Sequence, residues 1–550
     1  MTTISNDVAG PAESTEELTQ EIDAILKKVG EWLTDNSQSL TSIKTTDTFS
    51  ADPLRPNDFV TAFEGPLIVV RRGRIDAGEK HKELSTALSL VRDSVKPQRF
   101  KFKVFSIDSS NSEITTQVLC QLHGQTEHQS IQVNSTWQCR WQNDKKLALD
   151  SISLTDYEEV HANQERGAVW SDCTVAVLGA TQAFQEQLKH GSDYWLDRLE
   201  QTYGMMPTGY QGLAIGDVNG DGLDDLFVAQ PGGVATGLPN RLFVQQSDGT
   251  LKDVSADSNV DWLVETHSAL FVDLDNDSDQ DLVVATILGV VFAENDGNGI
   301  FHPKQTKLTP DAPPMSLSAA DFDNDGDLDI YACCYSHRSS SQLLGRPIPY
   351  HDANNGGRNI LFSNLGKWKF KNNTKRVGLD QNNRRFSFAS VWDDFDNDGD
   401  LDLYVANDYG RNNLYENLGE SFKDVANELR VEDLSAGMSV SSADFNRDGW
   451  FDIYISNMWS SAGNRIAFQR DFQSSASRQM RTHLQRHARG NSLFQNQLNT
   501  ENTFADISVS SGVTMGRWAW SSGFADLNND GWEDIVVANG FMTQEDSTDL

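Results

Sequence analysis

The stretch DFDNDGDLDLYVAN, residues 394–407, decides how the rest of the chain is read. Its first nine residues are an acidic loop, and its last five are an apolar strand. Asp394, Asp396, Asp398 and Asp402 place carboxylates at loop positions 1, 3, 5 and 9, with Gly399 at position 6. Alternate carboxylates on a tight turn bring their oxygens to one point. A hard cation such as Ca²⁺ takes six to eight such oxygens at roughly 2.3–2.6 Å. Glycine lets the backbone bend where a Cβ would clash.

Working outward, the same pattern occurs six times. The other copies are DVNGDGLDD (Asp217, Asn219, Asp221, Asp225), DLDNDSDQD (Asp273, Asp275, Asp277, Asp281), DFDNDGDLD (Asp321, Asp323, Asp325, Asp329), DFNRDGWFD (Asp444, Asn446, Asp448, Asp452) and DLNNDGWED (Asp526, Asn528, Asp530, Asp534). Position 7 varies (Leu223, Asp279, Asp327, Asp400, Trp450, Trp532), as expected if it offers only its carbonyl. Loop starts are 56, 48, 73, 50 and 82 residues apart. Repeats of this length point to a propeller or solenoid with one supersecondary unit per repeat. The ligand positions carry 21 carboxylates, which would repel strongly without a cation, so about six Ca²⁺ are expected. Ser278 at position 6 and Arg447 at position 4 mark two loops expected to bind more weakly.

Neither an EF-hand nor plain turn preference accounts for the loops. An EF-hand needs a bidentate Glu at position 12 and flanking helices. Position 12 here is Val228, Val284, Ala332, Val405, Ile455 and Val537, all inside strand-like runs. Asp, Asn and Gly favour turns in any protein, but turn preference would not fix four oxygen-bearing positions six times over.

Around each loop a blade is legible. A short strand precedes it (GLAIGD, LSAAD, FASVWDD, SVSSAD), and an apolar strand follows. A third strand bears an asparagine signature, beginning at Asn240, Asn359, Asn413 and Asn491, and a fourth reads LKDVS, FKDVA or FADIS. Four short antiparallel strands per repeat make a propeller blade. These segments resemble the FG-GAP/VCBS repeats of integrin α-like β-propellers, near the bacterial ASPIC/UnbV and cartilage acidic protein group. The resemblance spans residues 209–540 and implies a calcium ion in each loop, between a blade's first and second strands. The sixth repeat stops after its second strand. Six or seven blades are expected: either residues 167–179 (GAVWSDCTVAVLG) supply a ring-closing strand, or the chain is part of something longer with a seventh blade.

The expected organisation is therefore a disordered tail (1–14), an α+β domain (15–160), a connector with that strand and a helix at 181–203 (161–208), and a mainly β propeller (209–550). Within the α+β domain, residues 17–36 have helical spacing, with Ile22, Ile25, Leu26, Val29 and Leu33 on one side. Alternating runs at 100–104, 114–122, 131–141 and 147–154 predict an antiparallel sheet. Helices followed by such a sheet resemble the NTF2/SnoaL-type cone. That resemblance implies either a polar pocket for a small molecule or a domain that only packs on the propeller.

Charge narrows the function. Lys and Arg total 45 against 80 Asp and Glu, a net charge of −35 over 550 residues. A phosphate-rich partner would meet like charge, so nucleic acid is excluded as a partner. No stretch approaches 18 uninterrupted apolar residues, so no transmembrane segment is expected. No secretory signal opens the chain, yet loops of this kind favour an extracytoplasmic, calcium-rich setting. Five cysteines are too few for a disulfide scaffold, and adjacent Cys333 and Cys334 read as packing residues.

Two insertions stand out. The first, 335–357, carries Tyr350, His351 and Asp352, which either begin acid–base chemistry or cap a turn. The second, 464–489, holds Arg465, Arg470, Arg478, Arg481, Arg486 and Arg489 against Asp471 alone. It would grip an acidic partner or anionic glycan, or dock on the protein's own acids. The leading expectation is a non-enzymatic, calcium-stabilised scaffold for protein or glycan recognition. Its rival is a calcium-dependent polysaccharide lyase, which would need a base such as His351 or Tyr350.

Overall fold

The computed structural model describes residues 11–540 apart from 36, 76–77, 111–112, 126–128, 144–145, 164–170, 192–193, 196–197, 199–210, 233–236, 337–345 and 470. The chain divides into two compact units, Met1–Ser171 with Ser460–Gln485, and Asp172–Trp459 with Arg486–Leu550.

In the first unit, helix Pro11–Thr34 buries Ile22, Leu26, Val29 and Leu33 along one face, as their spacing requires. It begins inside the stretch read as a tail; residues 1–10 lie outside the described residues. A second helix, Leu84–Val95, adds Leu88 and Val91 to the core. Long strands Pro97–Ser110, Glu113–Gln125, Gln129–Asn143 and Leu147–Asn163 pair antiparallel in chain order. Phe59–Glu64 and Ile68–Gly73 extend this sheet, and Thr45–Ala51 runs parallel to Leu147–Asn163. Its interior is filled by Trp137, Trp141 and Tyr157, and Trp141 donates its indole N–H to Thr116 Oγ1 at 2.9 Å.

Within this sheet, Glu159 is buried yet fully partnered. It accepts from Arg55 (2.6 and 3.1 Å) and the Tyr157 hydroxyl (2.9 Å), and His161 Nε2 lies 2.9 Å away. Burial alone would raise its pKa; the His161 and Arg55 contacts overrule it and hold the carboxyl at about 2.

Helix Ser461–Ala467 completes the first unit. Ser460 caps it, accepting from Gly463 N at 2.9 Å, and buried Arg465 reaches Glu16 (3.0 and 2.6 Å) and the Val104 carbonyl (2.7 Å). Residues 460–485, inside the expected 209–550 domain, group with the N-terminal fold.

Among the described residues of the second unit, five four-stranded antiparallel sheets follow one another, each pairing its strands in chain order. The fourth, for example, consists of Ser387–Asp393, Asp402–Asn407, Asn413–Asn417 and Phe422–Asp424. A sixth sheet has Ala519–Ala525 and Asp534–Asn539. The second strands Asp281–Thr286, Asp329–Cys334, Asp402–Asn407 and Asp452–Asn457 are buried at every position. Their unbroken apolar runs reflect cover on both faces. Four apolar clusters lie between consecutive sheets: Phe227 with Phe271 and Phe301, Phe292 with Phe362 and Phe370, Tyr331 with Leu403 and Tyr415, and Tyr404 with Ile453 and Phe494. Phe292 and Phe370 stack with centroids 3.9 Å apart. Cys333 and Cys334 are fully buried in this packing.

The segment expected to offer a ring-closing strand is described only in part. Thr174–Leu178 is a helix, packing Leu178 with Phe184 and Phe243, and residues 164–170 lie outside the described residues. The short apolar run 174–178 suits either period, so the sequence pattern alone could not decide it. Of the connecting helix expected at 181–203, the turn Phe184–Leu188 is present, and 199–203 fall outside the described residues.

Candidate metal loops

Each loop joins the first strand of a sheet to the second, where the repeat placed it. The position-1 aspartate organises the turn by accepting from the backbone N–H groups of positions 5 and 6. Asp217 does so from Asp221 and Gly222 (3.1 and 2.8 Å), Asp321 from Asp325 and Gly326 (3.0 and 2.9 Å), and Asp394 from Asp398 and Gly399 (3.0 and 2.9 Å). Asp273, Asp444 and Asp526 repeat the arrangement. The position-5 carboxylate accepts from the N–H of position 7, as Asp398 does from Asp400 at 2.9 Å.

Position 9 ties the loop to the sheet. Asp281 accepts from Leu274 N and Asn295 N (2.9 Å each), and Asp402 from Phe395 N (3.2 Å) and Asn417 N (2.8 Å). Asp225, Asp281, Asp329, Asp402 and Asp452 are all buried. Burial pushes their carboxyls up even against these N–H donors, and neighbouring aspartates add to the rise. Asp281 and Asp452 reach about 7, and Asp329 and Asp402 about 8. Asp279 and Asp396 rise to about 6 for the same reasons, burial first.

In three loops the carboxylates converge, with one oxygen from each residue lying within 4.8 Å of the others: Asp273, Asp275 and Asp281; Asp321, Asp323 and Asp325; Asp394, Asp396 and Asp398. The other three loops carry Asn219, Asn446 and Asn528 at position 3. Asp275 Oδ1, Asp279 Oδ1, Asp329 Oδ2 and Asp452 Oδ2 are buried without a hydrogen-bond partner. Buried orphan carboxylate oxygens are costly, and a cation is the partner their chemistry suits. The donor set therefore fits a hard, oxygen-seeking ion.

Two features of position 4, and the role of the third-strand asparagines, escaped the sequence reading. Position 4 is left-handed in every loop, at Gly220 (φ 71°), Asn276 (64°), Asn324 (55°), Asn397 (59°), Arg447 (60°) and Asn529 (57°). From there the side chain reaches the next loop. Asn276 donates to Asp327 (2.9 Å), Asn324 to Asp400 (2.9 Å) and Asn397 to the Gly449 carbonyl (3.1 Å), while the Arg447 guanidinium lies 4.2 Å from the Trp532 ring centroid. Position 7 thus gives some of its side chains to the neighbouring loop. The third feature is the asparagine ending the third strand, which donates to the carbonyl at position 2 of the preceding loop. Asn295 bonds Val218, Asn364 bonds Leu274, Asn417 bonds Phe322 and Asn496 bonds Phe395, each at 2.8 Å.

Several side chains of the insertions pair within the fold. Asp352 accepts from Arg385 (3.0 Å) and Arg411 (3.2 Å), and Arg411 also pairs with Glu432 (2.9 Å). Tyr350 packs edge-on against Tyr409 and His487. Arg486 pairs with buried Asp433 (3.1 Å), and Arg489 with Asp506 (2.8 Å), so the arginine-rich insertion spends these charges on the protein's own acids. Arg470 lies outside the described residues. Among the described residues no helix is long and apolar enough to cross a membrane.

Comparison with known proteins agrees with the repeats. The model of the FG-GAP-like repeat matches residues 217–284, 273–332 and 394–455. Cartilage acidic protein 1 of Xenopus tropicalis is 27% identical over 140 residues, 24% of this chain, and the match spans only 21% of that relative's length. Among solved structures, a lectin of Agrocybe aegerita that recognises non-reducing terminal N-acetylglucosamine aligns with TM-score 0.34 and 17% identity, over 59% of this chain and 73% of the lectin. The V. cholerae biofilm matrix protein Bap1 aligns with TM-score 0.27 and 16% identity, over 45% of this chain and 35% of Bap1. With acidic loops between first and second strands and four-stranded sheets, this chain is a mainly β protein in which three FG-GAP-like repeats match the family model.

Proposed function

We propose that the protein is a calcium-stabilised, non-enzymatic scaffold for recognition of a protein or glycan. The observation that carries this reading is the convergence of carboxylate oxygens in the loops, with buried oxygens left unpartnered. The side chains at positions 1, 3, 5 and 9 and the carbonyl at position 7 would hold the ion. Calcium would supply positive charge and fixed coordination there. The chain's own part is to pre-form the turn through the position-1 carboxylate and to anchor it to the sheet through position 9.

Metal analysis of the purified protein at millimolar calcium should return about six equivalents. Excess chelator should lower the melting temperature substantially, because an ion bound only to the native state stabilises it by mass action. A metal-free protein under those conditions, or melting unchanged after verified metal removal, would overturn the proposal.

A further inference from the structure

A cleft in the second unit carries charge opposite to that of the molecule. It encloses about 530 Å³ and lies among the end of strand Phe301–Leu308, the start of strand Ile360–Asn364, and the segment leading to strand Ser387–Asp393. Lys307, Arg358, Lys375 and Arg384 line it, with Asp311 and Asp380 as its only acids. A local excess of positive charge in a chain of net charge −35 is a departure that the fold does not require.

The four cations are also uncommitted. Ion pairs nearby engage Lys304, Arg385 and Arg411, and none among the described residues takes up Lys307, Arg358, Lys375 or Arg384. Arg384 donates its Nε to the Gly356 carbonyl at 3.2 Å, which fixes the side chain while leaving its charge unpaired. A volume of this size is that of a small-ligand site.

We propose that this cleft binds an anionic saccharide, one bearing carboxylate or sulfate groups. The cations select the negative charge. Asp311 and Asp380, beside them, offer acceptors to hydroxyl groups, which a sugar carries and an acidic peptide of glutamates lacks. The proposal deepens the scaffold reading and rests on it, but its site is separate from the loops. Strand Ile360–Asn364 has the cleft-lining Ile360 at one end. At the other end, Asn364 N donates to loop residue Asp329. The two ends lie roughly 13 Å apart at the usual strand rise.

The test is calorimetric titration of the full chain, at millimolar calcium, with three probes of similar length: a heparin-derived tetrasaccharide, a galacturonate tetramer and neutral cellotetraose. A fourth probe, tetraglutamate, represents an acidic peptide. The wild type should bind one or both anionic sugars, and neither cellotetraose nor tetraglutamate. The double substitution Arg358→Glu, Lys375→Glu should weaken that binding by at least about tenfold, with melting temperature and metal content unchanged. A wild type that binds no anionic sugar, or a double variant that binds as well as wild type, would overturn the proposal. So would tetraglutamate binding as tightly as the sugars. Binding lost with Asp321→Ala but kept in the double variant would place the sugar on loop calcium and also overturn it. Failure of the scaffold reading would appear separately, as absent metal.

Discussion

Gly399 sits at φ 97°, and a Cβ built there would meet nothing within 4 Å. The cost of any side chain at that position is thus confined to the backbone. Gly399→Ala should destabilise by about 1 kcal/mol, measured as a shift in urea midpoint with unchanged slope. Ser278, which holds φ 75° at the same position of its loop, shows that the turn tolerates the strain. Asn417 acts on a larger scale from a single side chain. It donates to the carbonyls of Phe322 (2.8 Å) and Leu401 (3.1 Å) and accepts from Gly419 N (3.0 Å). Asn417→Ala leaves two carbonyls without that donor, and should cost about 2–3 kcal/mol in equilibrium unfolding.

Such residues also show what the sequence made legible. Oxygen-bearing positions 1, 3, 5 and 9 were readable because one chemistry recurs at fixed spacing. Position 4 was not, because Gly220, Arg447 and four asparagines share only a left-handed backbone. The asparagines ending the third strands were visible as a signature, but their reason is tertiary. Asn417 and Phe322 are 95 residues apart in the chain, and no local period can announce that bond.

At the scale of elements, the first unit's sheet carries a pH-sensitive joint. Strand Leu147–Asn163 holds Glu159 against Arg55, Tyr157 and His161, with its pKa at about 2 against an ordinary 4.5. The folded-state pKa is depressed, so the stabilisation is complete above about pH 4.5 and is lost as pH falls toward 2. Its size is on the order of 3 kcal/mol. Chemical denaturation at about pH 5 and about pH 3 should show this loss in the wild type. Glu159→Gln should be less stable at the higher pH and show a smaller difference between the two. Equal pH dependence in both proteins would refute the assignment. Neither Arg55 nor His161 was legible as a partner, since each meets Glu159 only once the strands have paired.

For the molecule as a whole, the net charge of −35 sets how the loops respond to their surroundings. Stripped of metal, the loop carboxylates repel one another across consecutive sheets. Raising ionic strength shortens the screening length from about 30 Å at 0.01 M to about 3 Å at 1 M. Added salt should therefore restore part of the melting temperature lost to chelator, while shifting the calcium-loaded protein less. Scanning calorimetry of both forms across that range is the check. Equal salt response in both would mean that loop repulsion contributes little.

The helix Ser461–Ala467 belongs to the first unit, although its sequence interrupts the fifth sheet between strands Asp452–Asn457 and Ser492–Asn496. Neither half of this protein can consequently be released by one cut. Removing residues 1–171 would strand Arg465 without Glu16 and the Val104 carbonyl, whereas excising 460–485 would strip the N-terminal fold of a helix. Synthesis from the N-terminus imposes the same order of events: the first unit stays unfinished until four of the five complete sheets have already emerged.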